Sequence, residues 1–273
     1  MYEEYWKLKT RPFQNTPDPA FYYHSTQHDE ALMKLTYAVN EKMGGAMLTG
    51  AYGCGKTMLS RVLFQQIGKS SLPVSCVAQP EMTPLDLLRA VAREITDTEL
   101  PVNKSDLLAD SMMEIIEKAL KENARDGKHT VISIDEAHMI DNRAVLETTR
   151  LLLNFQSKDE FLLTLLLVGH PELADRVSGL KQLAQRIPIT CTIGHFKKED
   201  TIEYIQKRMT VAGNKKKSLF TSDALNLIHT NSGGIPRRIN TLCDVSLAMG
   251  SAKKSDEVDA NLVLEASEKF GVN

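Results

Sequence analysis

The sequence predicts an α/β fold with a central parallel sheet flanked by helices, followed by a small all-helical domain. Three observations predict it. Short apolar segments alternate with segments of helical spacing between residues 46 and 193, as in the strand–helix units of a parallel sheet. A glycine-rich turn separates the first strand from the helix after it, and no strand pattern occurs from residue 198 onward.

The first segment, residues 1–24, is rich in aromatic side chains and contains three prolines between positions 12 and 19. The prolines exclude a helix in this segment. The aromatic composition favours a strap that folds back onto the protein surface. Two interpretations stay open: a strap that only packs, or a lid over a ligand that the next motif binds.

The α/β domain is expected over residues 25–195 and begins with a helix. Ser25 or Thr26 can cap this helix, which runs to about Lys42. Residues 46–49 predict a short buried strand, and apolar residues at 58, 59, 62 and 63 predict a helix over 58–64.

Between that strand and that helix, residues 50–57 fit the phosphate-loop pattern G-x-x-x-x-G-K-[ST]. Its glycines let backbone N–H groups approach an anion, and the following helix turns the positive end of its dipole toward the phosphates. Lys56 supplies a charge for the β- and γ-phosphates, and the Thr57 hydroxyl can ligate Mg²⁺. The strap, if it is a lid, would cover the nucleotide base. The cofactor-binding run is therefore Gly50, Ala51, Tyr52, Gly53, Cys54, Gly55, Lys56, Thr57 and Met58.

The next elements lead to a pair of carboxylates. We expect a strand over 73–78, a helix from Thr83-Pro84 to about Ile95, a connection over 100–105, a helix over 106–124 and a strand over 129–134. Asp135 and Glu136 follow that last strand, at the edge where open α/β sheets bind ligands. Asp135 can hold Mg²⁺, directly or through water. Glu136 can orient and deprotonate the attacking water.

A second polar group follows the next apolar strand. A helix is expected over 143–155 and a buried strand over 161–168, which leads into Gly169-His170-Pro171. His170 either contacts the γ-phosphate or the attacking water, or only caps the next helix. A short helix over 180–187 and a strand over 188–193 complete the α/β domain.

The helical domain is expected over residues 196–273, with helices at 199–211, 222–230, 236–249 and 261–269. Gly233-Gly234-Ile235-Pro236 opens the third of them. An arginine of the pair that follows this run, Arg237-Arg238, could reach back to the nucleotide across the domain boundary. Lys215–Lys217 lies in a loop and is most simply a solvated run of charge.

Composition narrows the classes of protein. The net charge is −2 and 42% of the 273 residues are hydrophobic, which demands neither a nucleic-acid nor a membrane partner. The four cysteines are far apart in sequence, without metal-type spacing, and are expected to be buried thiols in a reducing compartment. The longest apolar run, 161–168, is too short to span a bilayer. We expect a cytoplasmic protein, which a partner could bring to the inner face of the membrane.

Taken together in chain order, the motifs resemble those of the AAA+ ATPases, and within them the general secretion pathway protein A (ExeA-type) family. The resemblance covers nearly the whole chain and extends to MuB-like transposition ATPases. It is carried by an N-terminal Pro-Phe and Thr-Pro-Asp-Pro run, Ile134-Asp135-Glu136-Ala137, Val168-Gly169-His170-Pro171-Glu172-Leu173, Gln185-Arg186-Ile187 and Gly234-Ile235-Pro236-Arg237-Arg238.

The resemblance implies roles for particular residues. Residues 50–57 would be the Walker A loop, Asp135 and Glu136 the Walker B pair, and His170 the first sensor, where many relatives have Gln or Asn. Arg186 is implied as the finger that reaches a neighbouring subunit's γ-phosphate, and Arg237 as the second sensor. The implied cofactors are ATP and Mg²⁺.

Three functions remain open at this point. The first is an oligomeric or ring-forming ATPase that hydrolyses ATP at subunit interfaces and assembles or remodels a partner complex, such as an envelope or secretion component. The second is an ATP-dependent DNA-binding regulator of the transposition type, in which lysines could face the DNA phosphate backbone: Lys197, Lys198, Lys215–Lys217, Lys253 and Lys254. The third is a scaffold that binds ATP and hydrolyses it slowly.

Overall fold

The computed structural model describes residues 2–96, 109–157, 160–214 and 218–271. The predicted connection over 100–105, the first residues of the helix expected over 106–124, and Lys215–Lys217 lie outside the described residues. The chain divides into two compact units. One comprises Gln27–Gly50 and Leu59–Ile193, and the other Met1–Thr26, Ala51–Met58 and Gly194–Asn273, in their described parts.

The first unit contains a five-stranded sheet in which all strands are parallel, as predicted. The strands are β1 (Gly45–Gly50), β2 (Ser71–Val77), β3 (His129–Asp135), β6 (Leu163–Gly169) and β7 (Ile189–Ile193). Their order in the sheet is β2-β3-β6-β1-β7. β1 and β6 are buried along their whole length, as expected for central strands covered by helices on both faces.

Helices lie between consecutive strands of the sheet in sequence, as the crossovers of a parallel sheet require, and one further helix precedes β1. They are α2 (Thr26–Asn40), α3 (Lys56–Gln66), α4 (Pro84–Thr96), α5 (Ala109–Arg125), α6 (Arg143–Leu152), α7 (Glu172–Ser178) and α8 (Lys181–Ala184). α4 begins as predicted, because the Thr83 hydroxyl accepts a bond from the Asp86 amide at 3.2 Å and the Asp86 carboxylate accepts one from the Thr83 amide at 3.0 Å.

Two helices are shorter than predicted. The helix expected over 143–155 ends at Leu152, because the chain then enters a small antiparallel hairpin of β4 (Gln156–Ser157) and β5 (Glu160–Phe161). The helix expected over 180–187 is only the single turn α8. In both places the apolar pattern extends beyond the end of the helix. The residues that continue the pattern pack in non-helical conformations, so the pattern overestimates the length of the helix.

Strand order brings two of the predicted polar segments together. β3 and β6 are neighbours with Ile134 paired to Leu167, so the residues that follow these strands emerge side by side at the carboxyl edge of the sheet. β1, which leads into the glycine-rich loop, lies on the other side of β6. This edge is where parallel sheets bind ligands.

In the residues that the structure describes, the second unit is helical apart from one isolated bridge between Phe220 and Val258. Its helices are α1 (Tyr2–Trp6), α9 (Lys198–Val211), α10 (Ser222–Ser232), α11 (Pro236–Lys253) and α12 (Ala260–Phe270). The expectation that the first 24 residues exclude a helix was wrong for α1, which forms before the first of the three prolines. Among the described residues, no helix has the length and apolar composition needed to cross a membrane.

Aromatic side chains of the N-terminal segment are part of the core of this helical unit. Tyr2, Trp6, Phe13 and Phe21 are buried among residues of α9 to α12. The Trp6 indole donates to the Leu247 carbonyl at 2.9 Å. The segment therefore packs, as the strap interpretation requires. The four cysteines of the chain are buried thiols, as predicted.

Arg208 on α9 fastens this segment in place. The side chain is only 2% exposed. Its guanidinium donates to the Pro12 carbonyl at 2.5 Å, the Gln14 carbonyl at 3.1 Å and the Tyr204 hydroxyl at 2.6 Å. It also lies 4.8 Å from the centroid of the Phe21 ring, within range of a cation–π interaction.

We expect Arg208→Met to destabilise the helical unit by about 2–4 kcal/mol, because buried acceptors left without a donor each cost about 1–3 kcal/mol. Urea denaturation followed by the fluorescence of Trp6, the single tryptophan, measures this unit directly. Lys207→Met is the matched control. Lys207 is the cation next to Arg208 in sequence, and it is exposed. Its loss should therefore change the free energy of unfolding by less than about 0.5 kcal/mol. Equal midpoints for the two variants would contradict the prediction.

Candidate nucleotide-binding site

The glycine-rich loop has the backbone conformation that its glycines were expected to permit. Gly53 and Gly55 have φ values of 73° and 98°, which other residues adopt only at a cost. α3 begins at Lys56, so amide groups at the helix N-terminus face the loop. Lys56 is 7% exposed and its ammonium donates to the Ala51 carbonyl at 3.0 Å. This hydrogen bond links the end of the loop to its beginning.

The start of α11 packs directly on this loop. The Arg237 amide donates to the Gly53 carbonyl at 3.3 Å. A Cβ added at Gly53 would lie 2.8 Å from the Cβ of Arg237, so this contact requires glycine. The structure therefore brings the predicted second-sensor residue, Arg237, beside the predicted phosphate loop. Its side chain is exposed.

The remaining loop residues differ in exposure. Tyr52 and Thr57 are exposed, and Cys54 is fully buried. Burial raises the pKa of the Cys54 thiol, although the nearby Lys56 charge acts to lower it. An exposed hydroxyl at Thr57 and a carboxylate at Asp135 are oxygen donors of the kind that Mg²⁺ prefers, so both residue types fit the predicted metal.

The carboxylate pair lies at the end of β3, as the sequence predicted. Asp135 is the last residue of the strand, and its carboxylate accepts a bond from the Glu136 amide at 2.9 Å. Glu136 has left-handed backbone angles, φ 54° and ψ 30°, which is uncommon for a residue with a side chain. Such conformations cluster at functional sites, where the surrounding structure maintains them.

Glu136 is accompanied by two histidines. His138 Nδ1 lies 3.3 Å from a Glu136 carboxylate oxygen. The ring centroids of His138 and His170 are 4.2 Å apart, and both rings are buried. Sequence reasoning identified His170 and missed His138. The sequence did contain a signal for His138, because it lies two residues after a carboxylate at the end of a strand.

Arg186, the predicted finger, lies just after α8 and donates to the Leu153 carbonyl of its own chain at 2.6 Å. The side chain is partly exposed. The sequence-predicted residues thus form two described groups: the loop with Arg237, and Asp135 and Glu136 with His170. Arg186 belongs to neither set of contacts.

A known protein family matches the part of the chain that contains most of these residues. The profile of the AAA domain family matches residues 40–177, which include the glycine-rich loop, the carboxylate pair and His170. The chain belongs to the AAA domain family. The fold is that of an AAA+ nucleoside triphosphatase, as predicted.

Individual relatives extend the likeness to both units. General secretion pathway protein A of Aeromonas hydrophila is 36% identical over 276 residues, which cover 100% of this chain and 49% of that protein. The chain therefore spans about half the length of this relative, and the predicted resemblance to that family is confirmed.

Solved structures show the same fold at low sequence identity. The Aeropyrum pernix ORC2 protein, in ADPNP–ADP complexes, matches with a TM-score of 0.74 and 15% identity over 96% of this chain and 71% of that one. The Aeropyrum pernix ORC1 protein in complex with DNA gives a TM-score of 0.72 and 15% identity over 94% and 69%.

Proposed function

We propose that this AAA+ domain binds and hydrolyses ATP at subunit interfaces, and that its nucleotide cycle drives assembly or remodelling of a partner complex. The observation that carries the proposal is Glu136. A carboxylate in a strained backbone conformation, at the carboxyl edge of the sheet and after a Mg²⁺-type aspartate, suits a general base for water. The 36% identity to general secretion pathway protein A supports a partner that belongs to a secretion pathway.

Each residue has a proposed role. The amide groups of residues 50–57 and the Lys56 ammonium bind the phosphates, while Thr57 and Asp135 hold Mg²⁺. An ion held there would supply positive charge to neutralise the charge that develops on the phosphoryl oxygens. Glu136 orients and deprotonates water, His170 senses the γ-phosphate, and Arg237 and Arg186 act as second sensor and finger. The domain boundaries at 24 and 195 and a cytoplasmic location are parts of the same proposal, in which the N-terminal segment is either a strap that only packs or a lid over the nucleotide base.

The decisive measurement is the ATPase rate per molecule against protein concentration, with and without DNA. A finger supplied in trans contributes about 10³–10⁵ in rate, so the rate per molecule should climb as subunits assemble. Lys56→Met is the control, because it removes the phosphate-binding charge and should abolish turnover at every concentration. Full turnover at a concentration where light scattering shows monomer would overturn the interface proposal.

DNA binding is the second candidate function. The Aeropyrum pernix ORC1 protein, which shares this fold, was solved in complex with DNA, and Lys197, Lys198 and Lys254 of this chain are exposed. Lys253 forms an ion pair with Glu265, so it is a weaker candidate for contact with DNA. ATP-dependent DNA binding that weakens steeply with salt, and ATPase stimulation by DNA, would support this function over the first.

A further inference from the structure

Glu136, His138 and His170 form a cluster with metal-ligand chemistry. Each offers one ligand atom, and the three atoms lie within 4.8 Å of one another. His138 and His170 are 7% and 6% exposed, while 39% of the Glu136 side chain is exposed. The cluster therefore has buried walls and an opening toward solvent on the carboxylate side.

Local backbone geometry produces this convergence. The left-handed conformation of Glu136 turns the chain into a single 3-10 turn over Ala137–Met139, which places His138 back beside its carboxylate. Gly169 ends β6, and a Cβ at this position would lie 3.0 Å from the His138 amide nitrogen. The absence of a side chain at Gly169 therefore lets β6 bring His170 against His138.

The spacing suits an ion of the zinc type. Two ligands on a tetrahedral Zn²⁺ at about 2.0–2.2 Å are about 3.4 Å apart. The 3.3 Å between His138 Nδ1 and the Glu136 carboxylate already matches this value. Small side-chain rotations would close the remaining separation of at most 4.8 Å. Two imidazoles and one carboxylate are common ligands of zinc, cobalt, nickel and iron(II), whereas Mg²⁺ prefers oxygen ligands only.

We propose that Glu136, His138 and His170 bind a divalent transition-metal ion of the zinc type, with water at the open fourth position. Binding takes the Glu136 carboxylate as a ligand, so the carboxylate no longer deprotonates the attacking water. The ion is therefore an inhibitor of ATP hydrolysis. This inhibitory consequence rests on the function proposed above, whereas metal binding itself does not.

Metal binding is tested on the full chain without nucleotide, by titration with Co²⁺ and displacement by Zn²⁺. We expect about one ion per chain, with the visible absorption typical of cobalt in a low-coordinate nitrogen and oxygen site. Zn²⁺ should displace it and millimolar Mg²⁺ should not. Loss of an outer partner of a ligand already weakens metal affinity about 10–100-fold, so His138→Gln, His170→Gln and Glu136→Gln should each weaken it at least tenfold.

The chain has seven histidines, so a matched histidine control is needed. His195→Gln removes an exposed imidazole outside the cluster and should leave the affinity unchanged. Circular dichroism verifies that each variant is folded. Equal affinity in the three cluster variants and the unmodified chain would overturn the proposal.

A measurement on the unmodified chain avoids any folding defect of the variants. Anomalous diffraction at the zinc edge should place the ion among Glu136, His138 and His170, and a peak only at other residues would overturn the assignment. Inhibition is tested separately, as loss of ATPase activity on adding Zn²⁺ at constant Mg²⁺, with recovery on adding a zinc-selective chelator. Metal binding without inhibition would overturn the inhibitory role alone, and absent ATPase activity would count against the proposed function alone.

Discussion

Glu136→Gln is expected to lower the ATPase rate by about 10²–10⁴-fold, the usual contribution of a positioned general base, while ATP affinity stays within about twofold. The amide keeps the size of the carboxylate and its place at the end of β3, but it cannot take a proton from water. The phosphate contacts assigned to the loop and to Lys56 are unaffected. Hydrolysis and binding should therefore separate in this variant.

The measurement pairs single-turnover hydrolysis with equilibrium binding of a fluorescent ATP analogue. Glu122→Gln is the matched control, because this carboxylate is exposed on α5 and its loss should leave both quantities unchanged. A variant at Glu136 that still hydrolyses ATP at the normal rate would exclude this residue as the base. A variant that no longer binds ATP would indicate a structural role instead.

Most of the fold could be predicted from local sequence patterns. Each predicted strand of the sheet is present, within two residues of its expected start, because continuous apolar runs between turn signals identify buried strands. The positions of the loop at residues 50–57 and of Asp135 and Glu136 could be predicted as well, because each lies at the carboxyl end of one of these strands. Their chemistry stays a prediction.

The contact between His138 and His170 could not be predicted in this way. It depends on β6 lying beside β3, although 27 residues separate the two strands in sequence, and strand order is not encoded in local spacing. It also depends on the positive φ of Glu136 and the small size of Gly169. These are properties of two distant segments together.

Arg208 illustrates the same limit in the helical unit. On sequence alone it is one of several cations on α9. Its burial follows from carbonyl groups of Pro12 and Gln14, 196 and 194 residues away. A buried guanidinium needs such acceptors, and only the folded chain supplies them. The short helix α1 was missed because the prolines after it dominated the interpretation of the segment.

Arg186→Ala is expected to lower the ATPase rate by about 10³–10⁵-fold if the guanidinium stabilises the transition state of a neighbouring subunit. Within its own chain Arg186 binds the Leu153 carbonyl. Loss of that bond should cost only about 1 kcal/mol of stability, and thermal unfolding followed by circular dichroism measures this cost. A large kinetic loss with a small stability loss would favour the finger over a structural role.

Mixing two inactive variants separates action in trans from action in cis. In a mixed assembly, an Arg186→Ala subunit keeps its Glu136, and a neighbouring Glu136→Gln subunit supplies an intact Arg186. An equimolar mixture would contain about a quarter of interfaces with both groups intact, since each position is filled at random in a head-to-tail assembly. We therefore expect the mixture to recover about a quarter of the normal rate. If the rate stays at the mean of the two variants alone, Arg186 acts within its own chain, and the requirement for a neighbouring subunit is lost from the mechanism.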